Sequence, residues 1–167
     1  MWAKKIFKSR GVGMSSLFSL TDRVAIVTGA GKGIGKALAL GLAQAGAEVV
    51  VAARTAADIE KTAEEIRALG RKALPVPTDV QQSEQVANMV KRALEEFQRV
   101  DILVNNVGGG PKRPVLQQSE RFWDAILRLN LTTTLFCSKA VAEAMIKQGK
   151  GSIINIASTI GRGNMPY

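Results

Sequence analysis

The residues best placed for chemistry run from Thr28 through Gly29, Ala30, Gly31, Lys32, Gly33 and Ile34 to Gly35, where an apolar run gives way to an alanine-rich one. Glycine at 29, 31, 33 and 35 permits positive φ values and a close approach of backbone to ligand. A helix starting behind such a turn offers unpaired N–H groups and a positive dipole end, the requirements for holding a pyrophosphate. Two common nucleotide motifs fail on spacing. A P-loop needs glycine in place of Ala30 and serine or threonine in place of Ala37, so its magnesium ligand is absent and phosphoryl transfer is disfavoured. The G-x-G-x-x-G fingerprint puts its third glycine on Ile34 when counted from Gly29, and on Lys36 when counted from Gly31. The spacing present is T-G-x-x-x-G-x-G, through Thr28, Gly29, Gly33 and Gly35.

A second group lies at the end of the next apolar run, Ala52-Ala53-Arg54. An acid there would accept hydrogen bonds from the adenosine ribose of NAD and repel the extra phosphate of NADP. The acid is absent, Arg54 follows, and Lys32 adds a second cation from the glycine turn. For a nicotinamide dinucleotide held at this turn, these charges favour NADP(H) over NAD(H), with the 2′-phosphate held by charge.

The elements that must position these groups read as alternating strands and helices. Strands are expected from Arg23 to Thr28, Glu48 to Ala53, Ala73 to Thr78, Asp101 to Val104 and Gly151 to Ala157. The two prolines of the third favour a sheet edge. Helices are expected from about Ile34 to Gly46 with Leu38, Leu42 and Ala45 on one side, and from Thr55 to Leu69 with Ile59, Ala63, Ile66 and Leu69 at helical spacing before Gly70. Ser83 reads as the N-cap of a helix to about Gln98, with Val86, Met89, Val90, Leu94 and Phe97 facing the core. Asn105 to Pro114 reads as loop, and Ser119 opens one long helix to about Gln148 carrying Phe122, Ile126, Leu129, Phe136 and Ala140. Such alternation implies βαβ units and an α/β fold with a doubly wound parallel sheet.

Bulk properties narrow the class. A chain of 167 residues with 46% apolar and 22% charged residues suits one globular domain with a real core. No apolar run is long enough to span a membrane. Cys137 is alone, which excludes an internal disulfide and favours the cytoplasm. The net charge of +9 raises nucleic acid as a partner, but no docking motif supports it. Four of the bases, Lys4, Lys5, Lys8 and Arg10, stand in the first 13 residues without an acid, a basic leader expected to be disordered. Met14 is an alternative start. The domain division is thus a leader and entry segment over 1–20 and a nucleotide-binding domain over 21–167.

The glycine spacing at the first βα turn resembles that of the short-chain dehydrogenase/reductase family. Asn105-Asn106-Val107-Gly108 is similar to its Asn-Asn-Ala-Gly motif, with Val107 departing at the third place, and Thr78-Asp79-Val80 to its adenine-contacting Asp-Val pair. Leu129-Asn130-Leu131-Thr132 resembles the segment bearing the family's active-site asparagine, and Ile154-Asn155-Ile156-Ala157-Ser158 the strand before its catalytic serine. The five motifs cover nearly the whole chain after its leader. The resemblance implies a Rossmann fold and hydride exchange between NADP(H) and a small-molecule alcohol or carbonyl. It also implies cofactor contacts from Thr28, Gly29, Gly31, Lys32, Gly33, Ile34, Gly35, Arg54, Asp79, Val80, Asn106 and Gly108, without a metal. A full-length homodimer or homotetramer is plausible by the same resemblance.

For catalysis the resemblance implies a serine that orients the carbonyl, a tyrosine–lysine pair that moves the proton, and an asparagine that supports a water relay. Ser158 and Asn130 match the first and last. Tyr167 stands only nine residues after Ser158, directly behind Pro166, whereas the family's Tyr-x-x-x-Lys pair begins later, on the next helix. The expectation is therefore a Rossmann fold truncated after its fifth strand, ending before its proton-transfer pair, inactive by itself and poorly stable with that strand uncovered. The competing expectation is a non-catalytic nucleotide-binding module.

Overall fold

The computed structural model of the protein describes residues 18–158. The leader, Met14 and Tyr167 with its preceding proline lie outside the described residues. The chain alternates β1 (Val24–Thr28), α1 (Gly33–Gln44), β2 (Glu48–Ala53), α2 (Ala56–Ala68), β3 (Ala73–Pro77), α3 (Ser83–Phe97) and β4 (Ile102–Asn105). A 3₁₀ turn (Val115–Gln117), α4 (Glu120–Leu127), a π-helical segment (Arg128–Thr132), α5 (Thr133–Gln148) and β5 (Ser152–Asn155) follow. The five strands form one parallel sheet in the order β3-β2-β1-β4-β5. β3 is an edge, where Pro75 and Pro77 withhold no ladder donor that a further strand would need.

Strand alternation divides the core into two layers. On one face Val24, Ile26, Val50, Ala52 and Leu103 pack with Val86, Met89 and Val90 of α3 and Cys137, Val141 and Met145 of α5. On the other Ala25, Val27, Val49, Val51 and Val104 pack with Ala39 and Ala43 of α1 and Ile59, Ala63 and Ile66 of α2. Both faces of the central strands are thus covered, which is why their sequences are continuously apolar. β5 forms the other edge of the described sheet, and Ile153, Ile154 and Ile156 remain about two-fifths exposed. No described helix is long and apolar enough to cross a membrane.

Several sequence expectations need correction. The buried face of α1 is Gly35, Ala39 and Ala43, while Leu38, Leu42 and Ala45 are only half-buried. Small residues face the sheet because the helix sits too close for leucine. Leu69 is exposed, and Gln82, not Ser83, occupies the N-cap of α3, whose buried residues include Ala93 while Leu94 and Phe97 pack at its margin. Asn105 belongs to β4 and not to the loop: it pairs in register with Asn155, and its side-chain amide donates to Asn155 Oδ1 at 3.0 Å and to Ser138 Oγ at 3.2 Å. A polar residue ends a buried strand here because both its ladder and its side chain are satisfied.

The long helix expected from Ser119 is two α-helices joined by the π segment. Ser119 does cap its start, accepting from the Phe122 N–H at 3.2 Å. The break falls where polar side chains compete for backbone carbonyls. Asn130 Nδ2 donates to Ile126 O at 2.9 Å, Thr133 Oγ1 to Leu129 O at 2.7 Å and Thr134 Oγ1 to Asn130 O at 3.4 Å. In consequence Phe122, Ile126, Leu129, Phe136 and Ala140 are half-buried, and α5 turns Thr133, Cys137, Val141 and Met145 inward instead.

Candidate functional site

The strand order reverses between β1 and β4. Connections from β1 lead outward through β2 to β3, and β4 starts the other half, leaving a crevice at the carboxyl ends of these two central strands. Thr28 and Asn106 join its sides. The Thr28 hydroxyl donates to Val104 O at 3.2 Å and accepts from the Asn106 N–H at 3.0 Å, and Asn106 Nδ2 donates to Thr28 O at 3.0 Å. The turn leaving β1 is thereby fixed to the turn leaving β4.

Only two glycines of the turn adopt left-handed backbone, Gly29 at φ +67° and Gly33 at φ +57°. Gly35 is required by space. A Cβ there would lie 2.3 Å from Gly29 O and 2.5 Å from Asn106 Nδ2, so α1 can begin only by pressing its first turn onto the Gly29 peptide. A Cβ on Gly31 would meet Asp58 Cβ at 2.9 Å. The N-terminus of α1 has no side-chain cap and no acid in its first turn, whereas α2, α3 and α4 carry Asp58, Glu84 and Glu120 there. Its first N–H groups and dipole are left for an anion that is not a side chain.

A groove of about 360 Å³ opens beside this turn. Gly29, Gly31 and Lys32 form one wall, and Ala53, Arg54, Thr55 and Asp58 form the end reached by β2. Thr78, Asp79, Val80 and Gln81 contribute the floor from the β3 side, and Asn106, Val107, Gly108 and Leu129 the far wall. Lys32 and Arg54 are exposed and enter no ion pair among the described residues. Asp79 shapes its own turn: Oδ1 accepts from the Gln81 N–H at 3.0 Å, and its N–H donates to Gln85 Oε1 at 2.8 Å. Val80 is buried beneath it.

The groove therefore gathers Gly29, Gly31, Lys32, Arg54, Asp79, Val80, Asn106 and Gly108 from the sequence expectations. Thr28 and Gly35 support it from below, while Gly33 and Ile34 lie outside its walls and Ile34 is 66% exposed. Thr55, Asp58, Thr78, Gln81, Val107 and Leu129 are walls that sequence reasoning did not single out. Thr78, Val107 and Leu129 stood inside quoted motifs, but nothing in the order of residues marked Asp58.

Asn130 does not line the groove, though the preceding Leu129 does. Its amide pairs reciprocally with one residue, accepting from the Gly109 N–H and donating to Gly109 O, each at 2.8 Å. With the further bond to Ile126 O, this side chain ties the loop after β4 to the π segment. Arg128 makes a second tie, donating from Nη2 to Gln81 O at 2.8 Å. Ser158 is exposed beyond β5, and Tyr167 lies outside the described residues.

Two buried groups have titration shifted by their surroundings, and both lie away from the groove. Asp101 stands at the opposite, amino end of β4. Burial alone would raise its pKa, but the hydrogen bond from Arg99, the Val24 N–H and the charges of Arg99 and Arg23 together hold it below the usual carboxylate range. Burial pushes the Cys137 thiol up to about 12. Among the described residues no cluster of His, Cys, Asp and Glu could hold a metal ion. The groove's chemistry is thus glycine backbone, the cations of Lys32 and Arg54, the carboxylates of Asp58 and Asp79, and amide groups, a set suited to a nucleotide with its phosphates on the glycine turn.

Known proteins resemble this chain in sequence and fold. A sequence model described as short chain dehydrogenase matches residues 23–167. A 3-oxoacyl-[acyl-carrier-protein] reductase from Synechocystis is 42% identical over 149 residues, covering 89% of this chain and 60% of the relative. The crystal structure of a short-chain type dehydrogenase/reductase from Mycobacterium marinum superposes with a TM-score of 0.88 at 38% identity, over 93% of this chain and 64% of that one. A 7α-hydroxysteroid dehydrogenase, complexed with NADH and 7-oxo glycochenodeoxycholic acid, does so with a TM-score of 0.87 at 33% identity, over 92% of this chain and 60% of that one. The chain spans about three-fifths of the length of these relatives.

Proposed function

The chain belongs to the short-chain dehydrogenase family, and from that premise we propose that it forms the cofactor-binding part of an oxidoreductase that exchanges hydride between NADP(H) and a small alcohol or carbonyl compound. The observation that carries the reading is the uncapped, acid-free start of α1 behind a turn where Gly35 can hold no side chain. When bound, the dinucleotide would supply a hydride to a carbonyl carbon or take one from an alcohol carbon.

The N–H groups at the start of α1 would hold the pyrophosphate. Asp79 and Val80 would border the adenine, and Asn106 with Gly108 the nicotinamide side. Lys32 and Arg54 support NADP(H), since neither enters an ion pair among the described residues and Ala53 offers no carboxylate to a free ribose hydroxyl. Ser158 would orient the substrate oxygen by hydrogen bond. Asn130 would act as a positioning residue, because its amide is spent on Gly109 and Ile126 and reaches the substrate only through the loop it fixes.

The test is consumption of NADPH by the whole protein with a panel of small ketones and aldehydes. Turnover with at least one carbonyl compound is expected, falling by about 10²-fold or more in Ser158→Ala with the affinity for NADPH retained. Tight NADPH binding with no turnover of any carbonyl or alcohol would favour a non-catalytic nucleotide module instead.

A further inference from the structure

We propose that Asp58 is a cofactor-selectivity residue of this groove, its carboxylate reducing the preference for a 2′-phosphorylated dinucleotide that Lys32 and Arg54 would set by themselves. The inference rests on the dinucleotide reading above. An acid is missing from the end of β2, where Ala53 stands, but one is present five residues later, in the first turn of α2. Asp58 lines the same end of the groove as Lys32, Ala53 and Arg54. Its backbone geometry is fixed there: a Cβ built on Gly31 would lie 2.9 Å from Asp58 Cβ and 3.7 Å from Ala53 Cβ. Asp58 and Ala53 therefore sit side by side beneath one glycine, and the Asp58 side chain leaves α2 beside the end of β2, where an acid is missing.

The charge is not consumed elsewhere. Asp58 forms no ion pair, its side chain accepts no hydrogen bond among the described contacts, and Lys32 and Arg54 are likewise unpaired. Its place in the first turn of α2 suits a negative charge, which the helix dipole favours there. An ionised carboxylate only accepts hydrogen bonds. It can take one from a ribose hydroxyl, and it repels a phosphate dianion. The groove thus holds cations that favour NADP(H) and an anion that opposes it, and the chain is expected to accept both dinucleotides with a modest bias. An acid serving only the dipole of α2 would leave the ratio of the two affinities unmoved when neutralised.

Fluorescence titration of the full chain with NADPH and NADH tests this. Asp58→Asn should raise the ratio of NADPH to NADH affinity about three- to tenfold, the effect of one unit charge across a solvated groove. Adenosine 2′,5′-bisphosphate should gain over 5′-AMP by a similar factor, and the gain should shrink at about 0.5 M salt. Asp58→Glu should keep the wild-type ratio, and Asp58→Ser should reproduce the amide, serving in its place if that variant does not fold. A ratio unchanged within about twofold in the neutral variants overturns the inference. Wild-type protein that binds neither dinucleotide overturns the underlying reading as well, and is told apart because no variant is needed to see it.

Discussion

Gly35→Ala adds one methyl group at the point where the site has least room. Its carbon would sit 2.3 Å from Gly29 O, 2.8 Å from Gly29 C and 2.5 Å from Asn106 Nδ2, so backbone must move and no flexible side-chain tip can relieve the clash. Overpacking of this kind costs about 1–3 kcal/mol. Displacing Asn106 also endangers its 3.0 Å bond to Thr28 O, worth about 1 kcal/mol. A loss of about 2–4 kcal/mol corresponds to a melting temperature lower by roughly 5–15 °C for a domain of this size. Because the displaced groups are the cradle itself, NADPH affinity should fall at least about tenfold. Gly41→Ala is the control: it lies within the same helix with nothing within 4 Å of an added Cβ, and should gain up to about 1 kcal/mol. Thermal melting and fluorescence titration of both variants read these effects. A Gly35→Ala protein that melts and binds NADPH as the wild type does would refute the close approach of α1 to the Gly29 peptide.

Three further outcomes follow from other parts of the molecule. Ala53→Asp should shift preference toward NADH, read as relative affinities of the two dinucleotides; unchanged relative affinities would defeat the NADP(H) assignment. The folded pKa of Asp101 is lowered, so its stabilising contribution is present above the unfolded value near 4 and is lost as pH falls through the lower folded value. Asp101→Asn should therefore destabilise at pH 7 by about 2 kcal/mol and flatten the acid limb of the stability curve, and an unchanged acid limb in chemical denaturation would contradict the Arg99–Asp101–Arg23 cluster. Cys137, buried with its pKa raised to about 12, should stay unreactive toward a disulfide reagent at pH 8 until the protein unfolds, and rapid labelling of native protein would place it elsewhere.

Much of this architecture is legible in the residues. The runs around Ile26 and Val50 are apolar without alternation because helices cover both sides of the sheet, and Pro75 and Pro77 announce an edge. Gly70 stops α2 in left-handed backbone, as its place predicts. Less legible are features decided by distance between elements. Leucine outranks alanine in hydrophobicity, so α1 reads as facing inward through Leu38 and Leu42, but the proximity forced at Gly35 selects Ala39 and Ala43. The π segment has a signal in the Asn-Leu-Thr-Thr-Thr stretch, whose side chains reach back to carbonyls, yet helical periodicity carries across it unbroken. In the site, the glycine turn, Lys32, Arg54 and the Asn106 motif are local and visible. Asp58 becomes visible only when α2 folds back against Gly31, and Asn130 shows its partner, Gly109, only across 21 residues of chain.

The account turns on whether the groove beside Gly29–Gly35 holds the phosphates of a dinucleotide. Calorimetric titration of NADPH into the wild-type chain at low salt measures this directly. Saturable one-to-one binding is predicted, with adenosine 2′,5′-bisphosphate competing for the same site and Lys32→Ala plus Arg54→Ala weakening both ligands. Absence of NADPH binding, or binding that this competitor cannot displace, would contradict it.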